Sequence, residues 1–264
     1  MTFMGGELLI KTQLSLMKII KLEKNMLCYH MASMSKNRLG QNICVLLDGD
    51  KALFIDSGYK QECQLVLDDL ASRNIKVVAV VPTHFHPDHV EGITLIPQPK
   101  VYGNTFAVKT LKRFYKEDYQ KMEPTNMIDH NSVVTFGEFV LTFEHTPGHS
   151  NCSMLVFINN KYMHLGDLYI RLDNGADVLP YVTWKGAHEH LKSFDKVLKH
   201  IDRVALISHG LCPVDKQDLI RGIKDRKIYL EALLRTKNRA SAKEAVEQCS
   251  QSFESLHWKK DTDE

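Results

Sequence analysis

The sequence predicts an α/β protein in which two β layers pack together between helices, with a helical extension at the carboxyl end. Three observations predict this class. Apolar segments of strand length are followed by a helical pattern, and that order occurs twice along the chain. Histidines and aspartates stand just past the carboxyl ends of several strands, where open α/β sheets build their sites. After Pro213 the pattern is helical only.

Residues 1–25 read as a leader or an extra strand. The stretch 8–20 is partly apolar, but Lys11, Gln13 and Lys18 interrupt it, so it is too short and too broken to span a bilayer. No small-residue cleavage site follows it, and cytoplasmic placement is the default expectation. Residues 26–31 and 43–47 read as strands, and Asp48-Gly49 turns the chain into a strand at 52–55. Residues 61–73 read as a helix with Cys63, Val66, Leu67 and Leu70 on one face. The continuous apolar run 77–81 reads as a buried strand, and Asp88 stands where it can cap a following helix. Thr105 is placed to cap a helix reaching about residue 119. Strands return at 139–144, 153–158 and 161–165, the last two joined at Asn159-Asn160. Ala187, Leu191, Phe194, Leu198 and Ile201 mark an amphipathic helix before a last strand at 204–207, and His188, His190 and His200 on that helix read as surface residues.

The main domain is expected over residues 26–212 and the extension over 213–264. Within the extension, 214–236 and 241–256 read as helices, with Ser241 and Glu244 in a capping-box pattern. It reads as a packing cap or a homodimer contact ahead of a pocket wall. Its basic residues, Arg221, Lys224, Arg226 and Lys227 among them, read as a solvated face.

Composition sets few limits. A chain of 264 residues with 44% hydrophobic residues has material for one sizeable core. Six cysteines show no CxxC and no regular framework, so they read as free thiols. With 34 basic against 32 acidic residues, the formal charge is +2, and no nucleic-acid or membrane partner is demanded.

The chemistry is concentrated in His84-Phe85-His86-Pro87-Asp88-His89, directly after the run 77–81. On an extended segment, His84 and His86 point to one side and can grip one metal ion. Pro87 helps the chain leave the strand, which brings Asp88 and His89 to an adjacent position. Imidazoles and carboxylates without thiolates suit a catalytic site for zinc, iron or manganese. A polar loop with several histidines is the plain alternative, but further ligands follow other strands: His149 in His145-Thr146-Pro147-Gly148-His149-Ser150, Asp167 in Gly166-Asp167-Leu168, and His209 in Ser208-His209-Gly210.

Taken in order, these motifs resemble the metallo-β-lactamase fold superfamily of metallohydrolases, over about residues 26 to 212. Asp56-Ser57-Gly58, after the strand at 52–55, resembles that family's early aspartate. The resemblance implies an αββα sandwich of two mixed sheets flanked by helices. It implies two divalent ions, zinc in the first place and iron or manganese as alternatives. His84, His86 and His149 would hold one ion, Asp88, His89 and His209 the other, and Asp167 would bridge them. Asp56 would support the metal loop from behind. The implied reaction is hydrolysis by a metal-bridging hydroxide, with Asp88 and Asp167 as the catalytic carboxylates and Asp88 orienting the nucleophile.

Within the superfamily, aspartate rather than cysteine at position 167 resembles the glyoxalase II, lactonase and phosphodiesterase branches. The tyrosine that lactonases carry three positions after the bridging aspartate is Ile170 here, with Tyr169 one residue early. The expected substrate is a small carbonyl compound: an ester, thioester, lactone or amide. Tyr59, Tyr169, Tyr181 and Trp184 are its candidate contacts, since each offers an apolar body and a polar tip. A phosphodiesterase of the same fold is one alternative, and a mononuclear-iron oxidoreductase of the persulfide dioxygenase type is another.

Overall fold

The computed structural model describes residues 17–33, 39–116, 118–237 and 242–253. Two mixed sheets make up its centre. The first runs, in spatial order, β1 (Met17–Glu23), β2 (Met26–Met31), β3 (Gln41–Asp48), β4 (Lys51–Ile55), β5 (Lys76–Val81), β6 (Lys100–Gly103) and β7 (Asn126–Met127). Its first four strands are antiparallel, and β4 to β7 are parallel. The second sheet has the order β12 (Val204–Leu206), β11 (Tyr162–His164), β10 (Met154–Ile158), β9 (Phe139–His145) and β8 (Val133–Phe136), with only the β11–β12 pair parallel.

The period of two along the first sheet sorts its side chains between two cores. Met26, Cys28, Cys44, Leu46, Leu53 and Ile55 face the second sheet and join a core with Leu141, Phe143 and Leu155. The alternate residues Leu27, Tyr29, Ile43, Val45 and Phe54 pack with Cys63, Val66 and Leu70 of α1 (Lys60–Ser72) and Leu111 of α3 (Ala107–Tyr115). The one-turn α2 (Pro87–Val90) follows β5. On the outer side of the second sheet lie α4 (Ala187–Lys199) and α5 (Lys216–Arg235), which supply Phe194, Val197, Leu219 and Ile223 to the first core. The layers are therefore helix, sheet, sheet, helix. The Asn159-Asn160 turn has both residues at positive φ, 50° and 54°, the conformation of a tight type I′ turn. No helix among the described residues is long and apolar enough to cross a membrane.

Several local expectations are corrected. Asp88 does not cap α2: His86 takes that place, Pro87 fills the first helical position, and Asp88 lies in the first turn. Thr105 does not cap α3: the cap residue is Phe106, whose N–H is taken by Asn104 Oδ1, and the helix ends at Tyr115 because Lys116 turns to φ 40°. His190 is not a surface residue; it is fully buried, with Nε2 3.2 Å from Leu168 O and its ring on Phe194. Arg226 is not part of a solvated face but is fully buried against Asp177. The second C-terminal helix covers only Ala242–Ala245 among the described residues, and Ser241 of the capping-box pattern lies outside them.

Candidate metal centre

All seven candidate ligands meet at one rim, where β4, β5, β9, β11 and β12 end. They fall into two groups. His84, His86 and His149 form the first; Asp88, His89, Asp167 and His209 form the second. In the first, His84 Nε2, His86 Nδ1 and His149 Nε2 stand 3.0–3.1 Å from one another. In the second, Asp88 lies 3.6 Å from His89 Nε2 and 3.3 Å from His209 Nε2. Asp167 joins the two. Its Oδ2 is 3.4 Å from His149 Nε2 and 3.9 Å from His84 Nε2, while its Oδ1 is 3.4 Å from His89 Nε2 and 3.2 Å from His209 Nε2.

These spacings fit the donors of two metal ions. Ligand atoms bonded at ~2.0–2.1 Å in a tetrahedron stand about 3.3 Å apart. His89 Nε2, His209 Nε2 and Asp167 Oδ1 are buried without a well-formed hydrogen bond among the described residues, a costly state for three polar atoms. The two groups also differ in charge. Burial, with neighbouring imidazoles adding to it, holds His84 well below the usual histidine range. Burial likewise brings His86 down to about 3 and lowers His149. Their nitrogens are thus neutral lone-pair donors. In the second group burial acts the same way on His89 and His209, but the carboxylates outweigh it. Asp56, Asp88 and Asp167 hold His89 well above its usual value, and Asp167 and Asp88 lift His209 to about 10. Burial pushes Asp88 up, yet His89 and His209 bring it down to about 2. Three acids, Asp56, Asp88 and Asp167, therefore draw positive charge into this half of the site.

The remaining imidazole nitrogen is anchored in four of the five histidines, which fixes tautomer and ring orientation. His209 Nδ1 meets Gly40 O at 2.8 Å, and His149 Nδ1 meets Tyr181 O at 2.7 Å. His84 Nδ1 lies 3.2 Å from Thr83 Oγ1, which donates to Asp56. His89 Nδ1 lies 2.9 Å from Asp56 Oδ2. Asp56 is fully buried and also accepts from Thr83 N and Ser208 Oγ, so one carboxylate ties together the loops after β4, β5 and β12. Gly166, at φ 54°, is needed beside it: a Cβ there would stand 2.7 Å from Thr83 Oγ1.

The aromatic residues are placed differently from one another. Tyr181 and Trp184 are exposed, and the Tyr181 ring lies 5.9 Å from that of His149. Tyr59 is half-buried at the start of α1. Tyr169 is 1% exposed, its hydroxyl is given to Asp177, and its ring lies under the Arg226 guanidinium, so it is packed into the base of α5 and is corrected as a substrate contact. A cleft of about 590 Å³ opens beside His86 and His149, and none of these four aromatic residues lines it. Its walls are α3, with Phe106, Lys109, Arg113 and Phe114, and the turn carrying Lys185. The sequence reading missed this wall. Its signal was the exposed spacing 106, 109, 113 on the helix face opposite buried Ala107 and Leu111.

Comparison with known proteins identifies the family and the fold. The family model described as "Metallo-beta-lactamase superfamily" matches residues 37–194. The chain is similar to the Beta-lactamase-like protein 2 homolog of Drosophila melanogaster, 26% identical over 178 residues, or 65% of this chain and 59% of that protein. It is also similar to the Hydroxyacylglutathione hydrolase of Tolumonas auensis, 28% identical over 137 residues, or 50% of this chain and 48% of that one. The chain thus spans about half to three-fifths of the length of these relatives. Among solved structures, the metallo-beta-lactamase IND-7 superposes with a TM-score of 0.66 at 18% identity, covering 79% of this chain and 98% of that one. VMB-1 superposes with a TM-score of 0.63 at 20% identity, covering 79% and 95%. At these identities the likeness is one of fold.

Proposed function

From the premise that the chain belongs to the metallo-beta-lactamase superfamily, we propose that it is a hydrolase of small carbonyl compounds working with two divalent metal ions, zinc in the first place. The observation that carries this reading is Asp167, whose two oxygens face the two ligand groups from one carboxylate. When bound, two such ions supply an acidified water as nucleophile near neutral pH and an electrophile for the substrate oxygen. His84, His86 and His149 would hold one ion, and Asp88, His89 and His209 the other.

The chain's own residues do the rest. Asp88 is the more open carboxylate, 22% exposed against 6% for Asp167, which supports a role in orienting the attacking water as well as in holding its ion. Asp56 keeps His89 aligned, and the Tyr181 carbonyl does the same for His149. The relative named Hydroxyacylglutathione hydrolase supports an acyl compound as substrate.

The first test is elemental analysis beside an ester and thioester panel. Fully loaded protein is expected to carry close to two transition-metal ions per chain. Asp167→Ala is expected to lose at least one ion and most turnover. A single iron with oxygen uptake on persulfides would overturn the hydrolase reading.

A further inference from the structure

The cleft beside His86 and His149 has a character that the sequence reading places elsewhere. The basic cluster is expected on the C-terminal helices, with little aromatic interleaving. The cleft instead gathers Lys109, Arg113 and Lys185 around two phenylalanines, Phe106 and Phe114, each 43% exposed. Its one acid, Glu189, is already paired with Lys192 at 2.9 Å. Among the described residues, no ion pair or hydrogen bond engages the side chains of Lys109, Arg113 or Lys185. Three unpaired cations in a concave wall attract an anion more strongly than they would on a flat surface, because the walls exclude part of the screening solvent.

The aromatic residues orient the cleft toward the ligand groups. Phe114 packs edge-on against His86 at 5.2 Å, so the apolar wall begins at the ligand itself. Phe106 stacks on His145 at 5.1 Å, at the end of β9 just before the loop that carries His149. The cations follow along the same helix face, at 109 and 113. A substrate in the cleft therefore meets apolar surface beside His86 and positive charge on the same wall.

Resting on the hydrolase reading above, we propose that Lys109, Arg113 and Lys185 select substrates with an anionic group, carboxylate or phosphate, joined to the scissile carbonyl through an apolar stem lying on Phe106 and Phe114. A small anion fits this cleft better than a nucleic acid does. Nucleic-acid binders carry a continuous basic track, and the wall here is limited to three cations in about 590 Å³.

The test uses thioesters sharing one acyl group, with leaving thiols that bear a carboxylate, a phosphate, a neutral amide or an ammonium. In the metal-loaded protein, kcat/KM is expected to fall from the anionic thiols through the neutral to the cationic. The extremes should differ by at least roughly tenfold, mainly in KM, with the spread shrinking as salt is raised. Carboxylate against phosphate identifies which anion is preferred. The double variant Lys109→Glu/Arg113→Glu is expected to abolish or invert the order. Lys51→Glu, on the hairpin at the far end of β4, is the charge control and should preserve it.

A second readout needs no turnover: calorimetric binding of naphthalenesulfonate against its neutral methyl sulfone. The sulfonate is expected to bind more tightly, and the double variant to lose that advantage. If the ester and thioester panel is wholly inert but the sulfonate preference holds and falls in the double variant, the anion cleft stands and the hydrolase reading fails. Equal binding of both probes, or a charge order the double variant does not move, overturns the cleft proposal. Cleavage of an RNA oligonucleotide with a kcat/KM above every thioester overturns the assignment of a small anion.

Discussion

Asp56 shows how much one residue organises. It sits at φ 59°, a left-handed conformation that aspartate and asparagine tolerate better than most side chains. From there its carboxylate receives Thr83 N–H, the Thr83 and Ser208 hydroxyls and His89 Nδ1. Burial alone would raise its pKa, but His89 beside it and the Thr83 N–H keep it lowered and charged. Asp56→Asn keeps the backbone tolerance while removing the charge and turning an amide toward these donors. The expected outcome is a loss of metal affinity of ~10–100-fold, with the fold retained. Competition with a chromophoric chelator measures it, and unchanged affinity would remove Asp56 from any supporting role. At this scale the sequence is most informative. The ligand candidates are legible because each stands directly past an apolar strand, in a motif dense with donors. Arg226 and His190 are not legible, because a basic residue or a histidine on a polar helix reads as solvated until its partners are seen across the fold.

Among the elements, α5 is the one whose role the sequence leaves open. Its inner face carries Arg226, which donates to Asp177 at 3.0 Å and to Ile170 O at 2.7 Å, and lies 3.9 Å above the Tyr169 ring. Asp177 also accepts from Tyr169 at 3.1 Å. The network clamps the loop that follows Asp167, and Arg171 N in that loop bonds His209 O. Gly222 makes the approach feasible, since a Cβ there would stand 2.1 Å from the Tyr169 hydroxyl. Removing one partner of a buried pair leaves the other charge uncompensated. Asp177→Ala is therefore expected to cost about 3–5 kcal/mol in urea unfolding. The double change Asp177→Leu/Arg226→Met should recover part of that loss; a double variant no better than the single one would show that the clamp works through something other than charge. Strands β6, β7 and β8 were also beyond the sequence reading. With two to four residues each, they present too few alternations for a period of two to emerge.

For the molecule as a whole, the ligands come from both sheets. His84, His86, Asp88 and His89 follow β5 of the first, while His149, Asp167 and His209 follow β9, β11 and β12 of the second. Any ion bound by these residues joins the two halves of the sandwich and stabilises the folded state by mass action. Chelation is expected to lower Tm by several degrees, dependent on metal concentration, in differential scanning calorimetry; an unchanged Tm on full metal removal would show that the halves hold together without it. The two-layer organisation is legible from the strand–strand–helix order, but the cleft is not, because it forms only where α3 from one half meets the Lys185 turn from the other. That placement has a further consequence. The donors sit in loops locked by buried hydrogen bonds, whereas Phe106, Lys109 and Arg113 stand on an exposed helix face with few obligations to the interior. Mutation can therefore rewrite that face while the donor loops stay intact, so relatives of this chain can diverge in what they accept long before they diverge in how they bind their ions.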